Sequence, residues 1–97
     1  MEMSAREIVA GDFSGRVGKV FTVHVAGRQL PLKLDAYQEL PRSARTGGAF
    51  RLEFLGPLDP RLAQGVFPFL IGSDRFDIFI VPVAAEPTAM RYEAIFY

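Results

Sequence analysis

The stretch "FDIFIVPV", residues 76–83, decides the fold, because every residue after Asp77 is apolar whichever way a strand turns its side chains. Successive side chains of a strand point to opposite faces, so Phe76, Ile78, Ile80 and Pro82 share one face and Phe79, Val81 and Val83 the other. The run before it, "VFPFLI" (66–71), behaves alike: Val66, Pro68 and Leu70 oppose Phe67, Phe69 and Ile71. Strands that are apolar on both sides need a cover on the second face as well as a core under the first. Two sources of cover are open. One is internal, from Ile8 and Val9 of a short N-terminal helix, Phe13 beyond it, and Leu58 and Leu62 of a long loop. The other is a second chain, because exposing side chains such as Phe67 and Phe79 forgoes about 1.5–3 kcal/mol of burial each.

Outward from these two runs, period-two alternation recurs along the chain. "KVFTVHVAG" (19–27) sets Phe21, Val23 and Val25 against Val20, Thr22 and His24, and after an Ala-Gly-Arg turn "QLPLKLDAY" (29–37) sets Leu30, Leu32 and Leu34 against Pro31, Lys33 and Asp35. These two form a predicted hairpin, with an edge or bulge at Pro31, which has no N–H for a ladder. "AFRLEFL" (49–55) puts Phe50, Leu52 and Phe54 inward and Arg51 and Glu53 outward. "MRYEAIFY" (90–97) pairs Tyr92, Ala94 and Phe96 on one face against Glu93, Ile95 and Tyr97. Polar, Pro- and Gly-bearing stretches at 39–48 and 56–65 read as loops, and Gly72-Ser73-Asp74 as a turn. At the start, Ser4 and Glu7 make an S-x-x-E capping pair, with Gly11 available as a stop, so residues 5–10 are a predicted helix.

The expectation is one mainly β domain over residues 1–97. It is a small antiparallel β-barrel or two-sheet sandwich of about six strands (about 18–25, 29–37, 49–55, 66–71, 75–83 and 90–97) with one short N-terminal helix. At 97 residues and 49% hydrophobic content the chain suffices for one compact core.

Charge and composition exclude several function classes. Eleven basic residues balance eleven acidic ones, and the nine arginines are scattered from Arg6 to Arg91, so no concentrated basic surface for nucleic acid is expected. There is no cysteine, which rules out disulfides, thiolate catalysis and cysteine-ligated metals. "MEMSAREIVAG" has no apolar run of signal-peptide length, and no stretch reaches the roughly 18 apolar residues of a spanning helix, so a cytoplasmic protein without a membrane role is expected.

Catalytic constellations are missing from the pattern. His24 lies mid-strand with neither a second ligand nor an orienting carboxylate near it in sequence. Ser4 reads as a cap, Ser14 and Ser73 sit in Gly-flanked turns, Ser43 lies in a polar loop, and there is no G-x-S-x-G element. Asp74 and Asp77 flank Arg75 but span a turn and a strand, which suits turn chemistry for Asp74 and a solvated position for Asp77. "RTGGAF" (45–50) lacks the Lys and Ser/Thr of a phosphate cradle and precedes a strand. No catalytic, cofactor or metal residue is therefore expected.

The succession "FRLEFLGP" (50–57), "LAQGVF" (62–67), "DIFIVPV" (77–83) and "RYEAIFY" (91–97) resembles a bacterial family of small single-domain proteins of about a hundred residues, known only as a domain of unknown function. "IVAGDFSGRVGKVF" (8–21) occupies the place of that family's opening, and the resemblance covers nearly the whole chain. This chain departs from the family in having Tyr97 where Asn is frequent, and "FLIGSD" where an H-P pair is frequent after the "QG" strand. The resemblance supplies no catalytic residue. It implies a gene neighbourhood with phage-tail-collar-like proteins, and from that an assembly role.

The expected function is a non-enzymatic protein-interaction or assembly accessory domain, self-associating or docked on a phage-tail-like or surface-appendage protein. Its expected apolar anchors are Phe67, Phe69, Phe79 and Val81. The alternative is a barrel whose interior, lined by Phe21, Phe50, Phe54 and Phe76, holds a small apolar ligand.

Overall fold

The computed structural model describes residues 8–41 and 48–97. Six antiparallel strands are present: β1 (Val20–Val25), β2 (Arg28–Leu40), β3 (Ala49–Gly56), β4 (Gly65–Ile71), β5 (Asp74–Ala85) and β6 (Met90–Phe96). They close into a barrel in the order β1-β2-β3-β6-β5-β4, which settles barrel over sandwich. The ring is two three-stranded meanders joined edge to edge, and the order maps onto itself when β1, β2 and β3 exchange with β4, β5 and β6. Closure gives every strand two neighbours, with the β1–β4 seam the shortest, and so limits the unpaired edge that would template another chain.

Both first hairpins turn in two residues. Between Val25 and Arg28 the central residues Ala26 and Gly27 both have positive φ (49° and 78°), the type I′ requirement that matches strand twist. Between Ile71 and Asp74 only the first central residue, Gly72, is positive, at 56°, as in type II′.

Each long middle strand carries one bulge. In β2 the register jumps from Leu34↔Phe54 to Ala36↔Glu53, leaving Asp35 as the extra residue. That insertion inverts the in-out parity, so Tyr37, paired with Leu52, turns toward the barrel where strict alternation from Leu34 would have sent it out. In β5 the jump from Pro82↔Tyr92 to Ala84↔Arg91 leaves Val83 extra. Pro31 pairs with Thr22 of β1 but lies ahead of the first β2–β3 pair, Lys33↔Leu55, so of the edge or bulge expected there the structure has the edge, where a missing N–H is accommodated.

The interior is largely aromatic. Phe21, Phe50, Phe54, Phe69 and Tyr92 are fully buried, together with Leu32, Leu34, Leu52, Ile78 and Ile80. Ring centroids lie 4.8 Å apart for Phe54 and Phe69, 5.7 Å for Phe21 and Phe54, and 4.6 Å for Phe50 and Phe96, within the range of favourable aromatic pairs.

Two non-strand segments close the barrel ends. At one end a 3-10 turn, Ala10–Asp12, delivers Phe13 into the mouth, where its ring lies 5.1–6.2 Å from those of Phe76, Phe50, Phe21 and Phe96. The turn is held by the Val9 N–H donating to Asp12 Oδ2 at 2.9 Å, and tied to the β4–β5 turn by Arg16 and Asp74 at 2.7 Å. This corrects the N-terminal expectation. Half of the predicted helix 5–10 falls outside the described residues, and in the other half Ile8 and Val9 are not helical, with Val9 extended at φ −124° and ψ 160°, while Ala10 opens the 3-10 turn.

At the other end, residues 57–64 cross from β3 to β4, which are not neighbours in the ring. The crossing buries Leu62, whose N–H donates to the Tyr92 hydroxyl at 2.8 Å. That bond satisfies two polar groups that would otherwise be buried alone.

Candidate protein-contact surface

The outside of the barrel is divided by chemistry. Outward positions of β2, β3 and β6, with Glu86 of the β5–β6 connection, form one ionic network: Arg51 reaches Glu53 and Glu93, and Arg91 reaches Asp35 at 3.0 Å, Glu53 at 2.6 Å and Glu86 at 2.6 Å. Gln38 joins it by accepting from Arg51 at 3.2 Å. The Asp35 bulge helps build this side by presenting its carboxylate to Arg91. Hydrogen bonds from Arg91 to Glu86 and Asp35 hold its guanidinium in the charged form, raising its pKa above the ordinary arginine value. Four carboxylates against two guanidiniums give this network an excess of negative charge.

On β4 and β5 the outward face is apolar instead. Val66 and Phe79 are direct cross-strand partners, exposed to 61% and 50%, and Val83 follows on the same strand at 48%. Val81 is half-buried between them and the ionic side, where it pairs with Glu93. The exposed pair Arg75–Asp77, at 3.2 Å, borders the patch toward the β4–β5 turn.

Of the four anchors expected from sequence, Phe79 and Val81 therefore lie on the outside. Phe67 and Phe69 do not. Phe69 is 0% exposed and wedged against Phe54 and Phe21, and Phe67 packs partly buried against the same cluster. The reason is register: Phe69 pairs with Phe76 and Phe67 with Ile78, both inward residues of β5, so Val66, Pro68 and Leu70 face out. Val66 is not among those anchors, and its pairing with Phe79 follows only from the register that the Gly72-Ser73 turn fixes.

Three of the five side chains expected as internal cover for this face point elsewhere, while Val9 and Leu58 are half-buried. Ile8 packs against the core cluster, and Phe13 and Leu62 enter the two barrel ends. The four rings expected around a ligand, Phe21, Phe50, Phe54 and Phe76, are buried and packed on Phe13, Phe69 or one another. His24 is exposed, and among the described residues no group of three or more His, Asp or Glu is placed to hold a metal. Asp74 pairs with Arg16 and Asp77 with Arg75, each in a local structural role.

The β1–β4 seam is the shortest in the ring, with only Thr22↔Leu70 and Val23↔Phe69 in register. It stops at Pro68, which has no N–H to continue a ladder with β1. Beside its open end a pit of about 200 Å³ lies between the β1–β2 turn and the β3–β4 crossing.

A family model for a domain of unknown function, DUF6916, matches residues 8–96, from the 3-10 turn to the end of β6. The chain belongs to the DUF6916 family. The match spans the whole described barrel, so the two meanders and both end closures belong to one DUF6916 domain. No curated protein and no solved structure matches this DUF6916 chain. Among the described residues no helix is long and apolar enough to cross a membrane, a statement that bears on helices alone.

Proposed function

We propose that this DUF6916 chain is a non-enzymatic contact domain of a larger assembly, docking on a structural protein through the outward face of β4 and β5. The observation that carries the reading is the exposed Val66–Phe79 cross-strand pair, extended by Val83 and Val81, on a barrel whose adjoining β6–β3–β2 side is occupied by ion pairs. Adjacent apolar side chains on a sheet surface gain from burial against a partner, and the acidic network beside them confines and orients the contact. Of the side chains that would have shielded the pair from within, Phe13 and Leu62 fill the barrel ends and Ile8 packs on the core cluster. The resemblance to bacterial proteins encoded near phage-tail-collar-like proteins favours a tail-like or surface-appendage protein as the occupant.

The test is affinity capture of the tagged protein from its host, beside the same capture with Phe79→Asp. Stoichiometric recovery of one structural protein by the native chain, lost with the variant while the variant remains folded, supports the proposal. Unchanged capture with the variant, or recovery of the chain alone, sinks it, and in the latter case light scattering shows whether a second copy is the occupant. The alternative reading, an apolar ligand inside the barrel, requires the packed rings to separate. Native mass spectrometry tests it by seeking an extra mass that disappears on denaturation.

A further inference from the structure

The pit beside the β1–β4 seam has a chemistry of its own, separate from the β4–β5 face. Its wall is apolar, from Val25, Leu30, Pro60 and Leu62, and two exposed arginines, Arg28 and Arg61, line it as well. The arginines come from different elements: Arg28 opens β2 after the type I′ turn, and Arg61 stands on the crossing that Tyr92 anchors. Arg61 uses Nε to reach the Leu58 carbonyl at 3.3 Å, which orients the guanidinium and leaves its two terminal nitrogens for other acceptors. Neither arginine forms an ion pair with a described residue, Asp59 of the same crossing included, whereas Arg16, Arg51, Arg75 and Arg91 all do.

We infer that this pit binds a carboxylate carried on a short branched apolar stem, such as the C-terminal residue of a peptide chain. The stem packs on Leu30 and Leu62, and the carboxylate sits between Arg28 and Arg61. Size and charge select this occupant. About 200 Å³ is below the roughly 300–1,000 Å³ of cofactor and drug-sized sites, which limits the occupant to one small group. Two guanidiniums beside an apolar wall favour an anion with a planar oxygen pair, because arginine forms bidentate hydrogen bonds to carboxylates. The wall itself is held firmly, since Leu62 is tied to Tyr92 and Leu30 pairs with Val23 in the β1–β2 ladder.

The experiment is a titration of the isotope-labelled full chain, followed by amide shifts in two-dimensional NMR. The probes are N-acetyl-leucine, its neutral analogue N-acetyl-leucinamide, and isovalerate, each up to about 10 mM. The expected result is saturable shifts at Ala26, Gly27 and Leu62 with N-acetyl-leucine, at least about tenfold weaker with the amide and with Arg28→Gln or Arg61→Gln. Tighter binding of N-acetyl-leucine than of isovalerate assigns the source to a chain terminus, and equal binding assigns it to a free acid; both support the carboxylate site. Equal shifts with acid and amide, no saturable shift, or variants that keep dispersed native spectra and full binding would each overturn it.

Discussion

The backbone N–H of Leu62 donates to the Tyr92 hydroxyl at 2.8 Å, joining the β3–β4 crossing to the centre of β6 across 30 residues of chain. Both groups are buried, so the bond has no water to replace it. Tyr92→Phe keeps the ring and removes only the acceptor, leaving the Leu62 N–H unsatisfied. The expected loss is about 1–3 kcal/mol of stability. Thermal unfolding reads this as a drop of roughly 4–8 °C per kcal/mol for a domain of this size. Hydrogen exchange at Leu62 should accelerate more than at Leu52, which lies in the paired ladder.

Gly56 ends β3 where the backbone passes close to side chains of the interior. A Cβ there would sit 3.0 Å from Leu32 Cδ1, 3.1 Å from Leu32 Cγ and 3.4 Å from Tyr92 Cε2. Gly56→Ala should therefore destabilise by about 1–3 kcal/mol through overpacking, despite the better strand propensity of alanine. Denaturant titration should show a lower midpoint with an unchanged slope.

Phe69 and Phe79 differ by ten positions and have opposite fates. Phe69→Asp places an unpaired carboxylate against Phe54 and Phe21, and no cooperative unfolding transition should remain. Phe79→Asp exposes its charge to solvent and should stay within about 1 kcal/mol of the native chain. Circular dichroism melts of the two variants distinguish inward from outward residues of the doubly apolar strands.

The ionic side makes a salt-dependent prediction. Arg91→Ala leaves Asp35, Glu53 and Glu86 around an emptied centre, so it should destabilise by on the order of 1 kcal/mol, with part of the loss recovered as salt screens the carboxylates. Arg75→Ala removes an exposed local pair with Asp77 and should leave the melting temperature unchanged. Melts at low and high ionic strength test both.

Alternation in "AFRLEFL" and "KVFTVHV" was enough to assign their faces, because one side of each is apolar and the other is not: Phe50, Leu52, Phe54, Phe21 and Val23 are all buried. Pro31 likewise announced a position without a second neighbour. The strands "VFPFLI" and "FDIFIVPV" could not be oriented this way, since both of their faces are apolar. Their inward sides were set by the two-residue Gly72-Ser73 turn and by closure against β1 and β6.

The sequence by itself determined that this chain is an antiparallel β domain, because period-two patterning and turn residues are local properties of adjacent positions. It also determined that apolar surface exceeds what one face of each strand can bury. Which residues of the doubly apolar strands lie outside was decided only by tertiary structure, through the β4–β5 register and ring closure, and the bulges at Asp35 and Val83 invert parity part-way along β2 and β5. Burial of Phe13 and Leu62 depends on the barrel ends, which exist only after the ring closes. The ionic network and the pit with its two arginines join residues from separate strands and loops, and no local pattern encodes such distances.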